Sequence, residues 1–209
     1  MTTEKVITDI RQENQRSDFD LIVSAIPEGA SVIDVGCGDG ILLDMLVRNR
    51  TVRARGIELS MEGVAKAVAK GLCVIQGDAD RDLADLPDGC FDYAVLSQTL
   101  QATKEPKTVL EQLMRISDRV IVSFPNFGHW MVRLNLLLSG RMPKTRALSI
   151  EWYDTHNIHL CTIVDFMELC ANLNATVERA WYLYKGQPIA FRGLANLLSD
   201  QAIFILRRR

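Results

Sequence analysis

Nine residues, Val32-Ile33-Asp34-Val35-Gly36-Cys37-Gly38-Asp39-Gly40, constrain the fold of this chain more than any other stretch. A short apolar run that gives way at once to a glycine-rich turn is the pattern of a buried parallel strand entering a βα turn. Helices on both faces of such a sheet make every strand position tolerant of apolar residues. Ligands of these sheets bind beyond the carboxyl ends of the strands, where the first turn brings backbone N–H groups and a helix amino terminus together. Glycine suits the turn because a Cβ would block close approach of a ligand and because the backbone there needs φ values that other residues resist. The glycines run GxGxG. Ile41 stands where a pyrophosphate-binding GxGxxG turn has its third glycine, so dinucleotide binding is the weaker reading.

Short apolar runs alternate with amphipathic ones through the first 125 residues, which predicts βαβ units. Phe19, Leu21, Ile22, Ala25 and Ile26 fall at helical spacing before Pro27-Glu28-Gly29. Strand Ser31–Val35 is followed by a helix over Ile41–Asn49, strand Arg53–Ile57 ending at Glu58, and a helix capped by Ser60 and stopped at Gly71. Leu72–Ile75, Phe91–Leu96 and Arg119–Phe124 are the next three strands, with a helix over Lys107–Ile116 before the last of them. Gly128–Ile158 has no steady period and reads as an insertion over the active edge of the sheet. Thr162–Leu173 reads as a helix, and Ala175–Lys185 and Gln201–Leu206 as an antiparallel pair of strands. The expectation is a single α/β domain over 1–209, with a mostly parallel seven-stranded sheet, one reversed strand and helices on both faces. Its cofactor half is about 17–126, its insertion or lid about 127–161, and its closing helix and strand pair about 162–209.

Glu58 lies 18 residues past the glycine turn, at a strand end from which a carboxylate accepts the two ribose hydroxyls of an adenosyl group. Asp78, after the next strand, can accept from the exocyclic amino group that marks adenine. Asp34 beside the turn favours the ammonium of an amino-acid ligand, while the N–H groups of the turn meet its other polar parts. Three carboxylates at successive strand ends suit a cationic sulfonium nucleoside.

The rest of the composition excludes more than it suggests. A net charge of −2 argues against nucleic acid, and Arg207-Arg208-Arg209 reads as a solvated tail. Five cysteines without a CxxC pair suggest neither a disulfide framework nor a zinc knuckle. No apolar run is of membrane length, and Met1–Gln15 carry no secretory pattern, which gives a cytoplasmic address.

Val32–Gly40 resembles motif I of class I S-adenosylmethionine-dependent methyltransferases, and Phe91-Asp92-Tyr93-Ala94-Val95-Leu96-Ser97 resembles their motif IV. Ser97-Gln98-Thr99-Leu100-Gln101, Phe124-Pro125-Asn126-Phe127, Trp152-Tyr153-Asp154-Thr155 and Asn157-Ile158-His159-Leu160-Cys161-Thr162 narrow this to a resemblance to the methionine biosynthesis protein MetW family. The family pattern has proline before Asn157, where this chain has His156. The resemblance implies a Rossmann-like class I methyltransferase fold and a role in methionine synthesis in association with a homoserine O-acyltransferase whose activity the protein supports. It further implies that Asp34, Gly36, Cys37, Gly38, Glu58, Leu59, Asp78, Ala79, Ser97 and Gln98 hold S-adenosyl-L-methionine or S-adenosyl-L-homocysteine, with Ser97 and Gln98 behind the methyl group. The competing function is an ordinary methyltransferase acting on a small molecule.

His129, His156 and His159, with Asp154 and Cys161, invite a metal site, but HxxH on a loop matches no common zinc spacing. His159 and Tyr153 are candidate general bases with a structural role as the stronger reading. Trp130, Met131, Val132, Leu134, Leu136, Leu137 and Leu138 predict a helix that is apolar on more than one side. It reads as a lid on the sheet edge, as a patch for a partner protein, or as both at once, and a homo-oligomer is a further possible assembly.

Overall fold

The computed structural model describes residues 18–145, 151–190 and 192–208. Met1–Gln15, the end of the arginine tail at Arg209 and the 146–150 part of the insertion lie outside them. Helix α1 covers 18–25. It is followed by β1 (Ser31–Val35), α2 (Ile41–Arg50), β2 (Arg53–Glu58), α3 (Met61–Ala69), β3 (Val74–Gln76), β4 (Phe91–Ser97), α4 (Pro106–Ile116) and β5 (Ser117–Pro125). Helices α5 (Trp130–Ser139) and α6 (Ile163–Asn172), strands β6 (Ala175–Tyr184) and β7 (Gln187–Pro188), helix α7 (Ala195–Leu198) and strand β8 (Gln201–Arg208) complete the order.

One sheet runs β3-β2-β1-β4-β5-β8-β6-β7. Strands β1 to β5 pair in parallel, and β8 slots antiparallel between β5 and β6. The α/β architecture is thus as the sequence predicts, but with eight strands rather than seven and two reversed strands rather than one. The extra strand is β7, turned back on β6 through Lys185 and Gly186, whose φ values of 51° and 78° suit a two-residue hairpin. Two residues, one of them the proline tolerated at a sheet edge, carry no periodicity to read. Strand β3 begins two residues later than expected because the Leu72 N–H still donates to Ala67 O at the end of α3 (3.3 Å).

Alternation along the strands divides the core between two faces. Ile33, Val35, Ala94, Leu96, Val120, Val122 and Phe124 pack with α4 and α6. Phe124, Phe166 and Phe204 form the centre of that layer, with ring centroids 4.7, 4.8 and 5.9 Å apart. Val32, Tyr93, Val95, Ile121, Ile203 and Ile205 face α1 and α2. Pro106 opens α4 at a position that needs no N–H donor, and Thr162 with Asp165 closes a reciprocal capping box on α6. Asp92, inside the motif IV resemblance, sits at the far end of β4. There it accepts from Ser31 N (2.7 Å) and Ser31 Oγ (2.8 Å), and these bonds hold its carboxyl below the usual range. Among the described residues no helix is long and apolar enough to cross a membrane.

Candidate functional site

The turn from β1 into α2 holds Gly36, Gly38 and Gly40 at φ 74°, 57° and 78°. The reason for glycine differs at each. A Cβ on Gly36 would lie 2.5 Å from Thr99 Cγ2 and Oγ1, and one on Gly40 would lie 2.5 Å from Leu72 Cδ1, so here the protein itself and not a ligand forbids a side chain. Only Gly38 opens onto free space, with nothing within 4 Å of the added atom.

The N–H groups of the turn are largely engaged within the protein, contrary to the expectation that they wait for a ligand. Gly36 N and Cys37 N donate to Ile57 O (2.8 and 3.2 Å), and Gly40 N donates to Cys37 O (3.0 Å). Gly38 N donates to Glu58 Oε2 (2.8 Å), while Ser60 N donates to Glu58 Oε1 (2.8 Å). The amides left for a ligand are those of Asp39 and the first turn of α2, where a helix has no acceptors of its own. Glu58 therefore latches the glycine turn to the start of α3. Each of its oxygens keeps a second lone pair, so the latch does not exhaust it. Glu58→Gln turns an NH2 toward one of these N–H donors and is expected to lower stability by about 1–2 kcal/mol, read as the urea midpoint.

A cavity of about 100 Å3 lies under the turn, lined by Phe19, Asp34, Gly36, Cys37, Gly38, Asp39, Ile41, Leu42, Ser97 and Gln98. It gathers six of the ten residues singled out in the sequence. Asp34 is 2% exposed, and its Oδ1 has no hydrogen-bond partner. Burial, and then the charge of Glu58, push its carboxyl up to about 7. Burial with Asp34 and Glu58 also pushes the Cys37 thiol up to about 12, which keeps it neutral.

Glu58, Leu59, Asp78 and Ala79 stand outside the cavity, at the ends of β2 and β3, the strands next to β1. Leu59 is 65% exposed beside the latch. Asp78 Oδ1 accepts from Asp80 N (3.0 Å), and Asp78 N donates to Asp82 Oδ2 (2.7 Å), so part of its capacity shapes the turn after β3. Ala79 is half-buried against the α4 layer of the core.

On the other side, Gln98 follows β4 at φ 52° and donates its N–H to Ser123 O (3.0 Å). Ile158 N and His159 N both donate to Gln101 O (2.8 and 3.0 Å), which straps the insertion over this turn. His159 Nε2 meets Lys104 O at 3.3 Å and Tyr153 is 65% exposed, so neither candidate base is among the cavity residues. His129 accepts from Met131 N through Nδ1 (3.3 Å) and caps α5, and burial holds its pKa below the usual value. Among the described residues no group of three or more His, Cys, Asp or Glu is placed to hold a metal ion. In α5 every residue but Val132 is exposed, so its apolar surface is not laid on the sheet as a lid. Sequence reasoning missed Asp18, which is buried at the start of α1 and bonded to Ser123 on β5.

The family model described as methionine biosynthesis protein MetW matches residues 16–206. The chain belongs to the MetW family. Its relatives include the bifunctional methionine biosynthesis protein MetXA/MetW of Rhodopirellula baltica, 33% identical over 202 residues that take in 91% of this chain and 32% of that protein. This MetW chain thus spans about a third of that relative's length. A solved S-adenosylmethionine-dependent methyltransferase from Mesorhizobium loti is similar at TM-score 0.69 and 18% identity, covering 92% of this chain and 98% of the other. Magnesium protoporphyrin IX methyltransferase from Synechocystis PCC 6803, solved with bound SAH, is similar at TM-score 0.67 and 18% identity, covering 97% and 86%. At these identities the two structures speak for the Rossmann-like methyltransferase fold.

Proposed function

We propose that this MetW protein binds S-adenosyl-L-methionine or S-adenosyl-L-homocysteine at the ends of β1 to β4, and that it acts in the cytoplasm beside a homoserine O-acyltransferase, whose activity it supports. The observation that carries the ligand reading is Asp34: a buried carboxylate oxygen without a partner, facing a small cavity beneath a glycine turn. A buried unpaired acceptor is costly unless something fills its hydrogen bond. The ammonium of an amino-acid ligand is a cation of the right kind. Gly38 leaves its face open, Glu58 retains lone pairs for ribose hydroxyls, and exposed Leu59 offers apolar surface for a flat base. The cavity takes only the amino-acid end; Asp78 and Ala79 belong to the adenine end. S-adenosylmethionine, when bound, supplies an activated methyl group.

The partner reading is supported by the Rhodopirellula relative, whose name joins MetXA and MetW in one bifunctional protein. A second reading, methyl transfer to a small molecule, is favoured by Ser97 and Gln98, polar residues at the end of β4 that line the cavity along with Asp34. Positioning and water exclusion suffice for transfer to a good nucleophile.

Titration calorimetry with each adenosyl ligand tests the binding. Heat with at least one ligand is expected, and silence with both overturns the reading. Acyltransferase assays with and without this protein, each with and without ligand, test the partnership. Higher activity in the presence of the protein is expected, and no change in any combination overturns it.

A further inference from the structure

The loop between β4 and α4, residues 98–105, makes contacts with both ends of the ligand edge. Gln98 lines the cavity, and Thr99 fills the space that a side chain on Gly36 would need. At the other end of the loop Lys104 N and Glu105 N donate to Asp80 Oδ2 and Oδ1 (3.0 and 2.9 Å), and Asp80 N donates in turn to Asp78 Oδ1. The insertion sits on the same loop: Ile158 N and His159 N donate to Gln101 O, and the His159 ring reaches Lys104 O. None of residues 151–160 is buried, so these bonds, and not an apolar core, hold the segment to the body. Segments of that kind open at the low end of the local stability range.

Gln101 stands between the cavity and the insertion. It is 4% exposed, and its Nε2 donates to Gln98 O at 2.7 Å. Gln98 has φ 52°, a left-handed conformation that a residue other than glycine keeps only where its neighbours fix it. Its N–H is shared between Ser123 O and Oγ (3.0 and 3.2 Å), and its Nε2 donates to Ser123 Oγ (3.4 Å). The bond on its carbonyl side comes from Gln101. Gln101 Oε1, by contrast, is buried without a partner. That is a standing cost which an apolar side chain of the same length would not carry, so what the glutamine contributes is its donor.

We infer that Gln101 is a positioning residue of the ligand site: its side chain holds Gln98 in the cavity wall while its carbonyl carries the insertion, so that ligand occupancy and the seating of residues 151–160 are coupled. The element with two states is that segment, seated on Gln101 O or lifted from it. Donor and carbonyl belong to one residue in a single tight turn, Leu100–Ala102, so a movement that releases Gln98 O also shifts the acceptor that Ile158 and His159 share. A ligand packed against Gln98 favours the seated state, and the seated state favours the ligand by the same factor. This rests on the proposed adenosyl reading and adds a regulation to it: a contact that grips or lifts the insertion changes how tightly the ligand is held.

The test replaces the donor and leaves the carbonyl. Gln101→Met keeps the length of the side chain, and Gln101→Glu keeps its shape but has no hydrogen to give when ionised at pH 8. Amide exchange is followed at Ile158 and His159, with the amides of α4 as the measure of global opening. Without ligand, both variants are expected to exchange these two amides about threefold faster or more, with α4 unchanged. Unaltered exchange at Ile158 and His159 in both variants overturns the inference, whether or not an adenosyl ligand binds. Saturating S-adenosyl-L-homocysteine is then expected to slow the two amides about tenfold in the unaltered protein and about twofold or less in the variants, with affinity by calorimetry about fivefold lower in the variants. Heat of binding without slowing in the unaltered protein, or full slowing in both variants, overturns the inference. Absence of heat in the unaltered protein removes the adenosyl reading instead, and the ligand-free comparison then decides whether the Gln101 side chain governs the insertion.

Discussion

Asparagine in place of Asp34 is expected to give a protein that is harder to unfold at pH 8 and that no longer takes up its adenosyl ligand. The carboxyl of Asp34 is raised from 3.8 to about 7 in the folded chain, first by burial and then by Glu58. A raised folded pKa contributes stability that is fully present below the unfolded value and lost as pH rises through the folded one. At pH 8 the native state therefore carries an ionised carboxylate in a dry site, and the uncharged variant does not. The gain is on the order of 2–4 kcal/mol at pH 8, and it shrinks as the pH falls toward 4. Urea denaturation at both pH values checks the sign; a variant less stable than the parent at pH 8 would falsify the account of Asp34. The same substitution removes the charge that meets the ligand ammonium, at a cost of about 100-fold in affinity by calorimetry.

Valine at Gly36 is expected to destabilise the fold by about 3–5 kcal/mol, whether or not a ligand is present. Its Cβ would sit 2.5 Å from two atoms of Thr99, at φ 74°. Thr99 cannot readily yield, because its Oγ1 donates to Ser97 O (2.9 Å). Alanine at Gly38 is the contrast. That position also has positive φ but meets nothing within 4 Å, so the expected stability cost is about 1 kcal/mol while ligand affinity falls. Thermal melts and calorimetry on the pair separate the glycine that the fold requires from the glycine that faces the ligand. Equal losses of stability in the two variants would remove the distinction.

What could be read in the sequence was local. β1, the glycine turn and α2 are contiguous, and the strand-end position of Glu58 follows from counting along one βαβ unit. The capping of α6 by Thr162 lies within four residues, and its boundaries match the reading to within one residue. What failed depended on contacts remote in the chain. Gly36 is glycine because of Thr99 and not because of a ligand, and Glu58 latches Gly38 as well as ending β2. Asp18 looks like part of a polar lead-in until a bond across 105 residues ties it to Ser123. A signal was nonetheless present: Ser97, Ser123 and Gln201 are polar where two-residue alternation calls for an apolar side chain. Such breaks near the ends of neighbouring strands become visible as a group only once strand order is known.

The bareness of α5 has a consequence for how that helix persists. Ten residues are too few to stay wound in water by backbone propensity, and among the described residues Val132 is the one side chain of the helix that is buried. The coil is kept from unravelling at its tips, by the His129 ring at one end and the left-handed Gly140 at the other. Its amide hydrogens should thus trade with solvent far sooner than those of α4, and any molecule that settles on Leu134, Leu137 and Leu138 would slow that trade. The segment is a built-in gauge of whether the protein is alone.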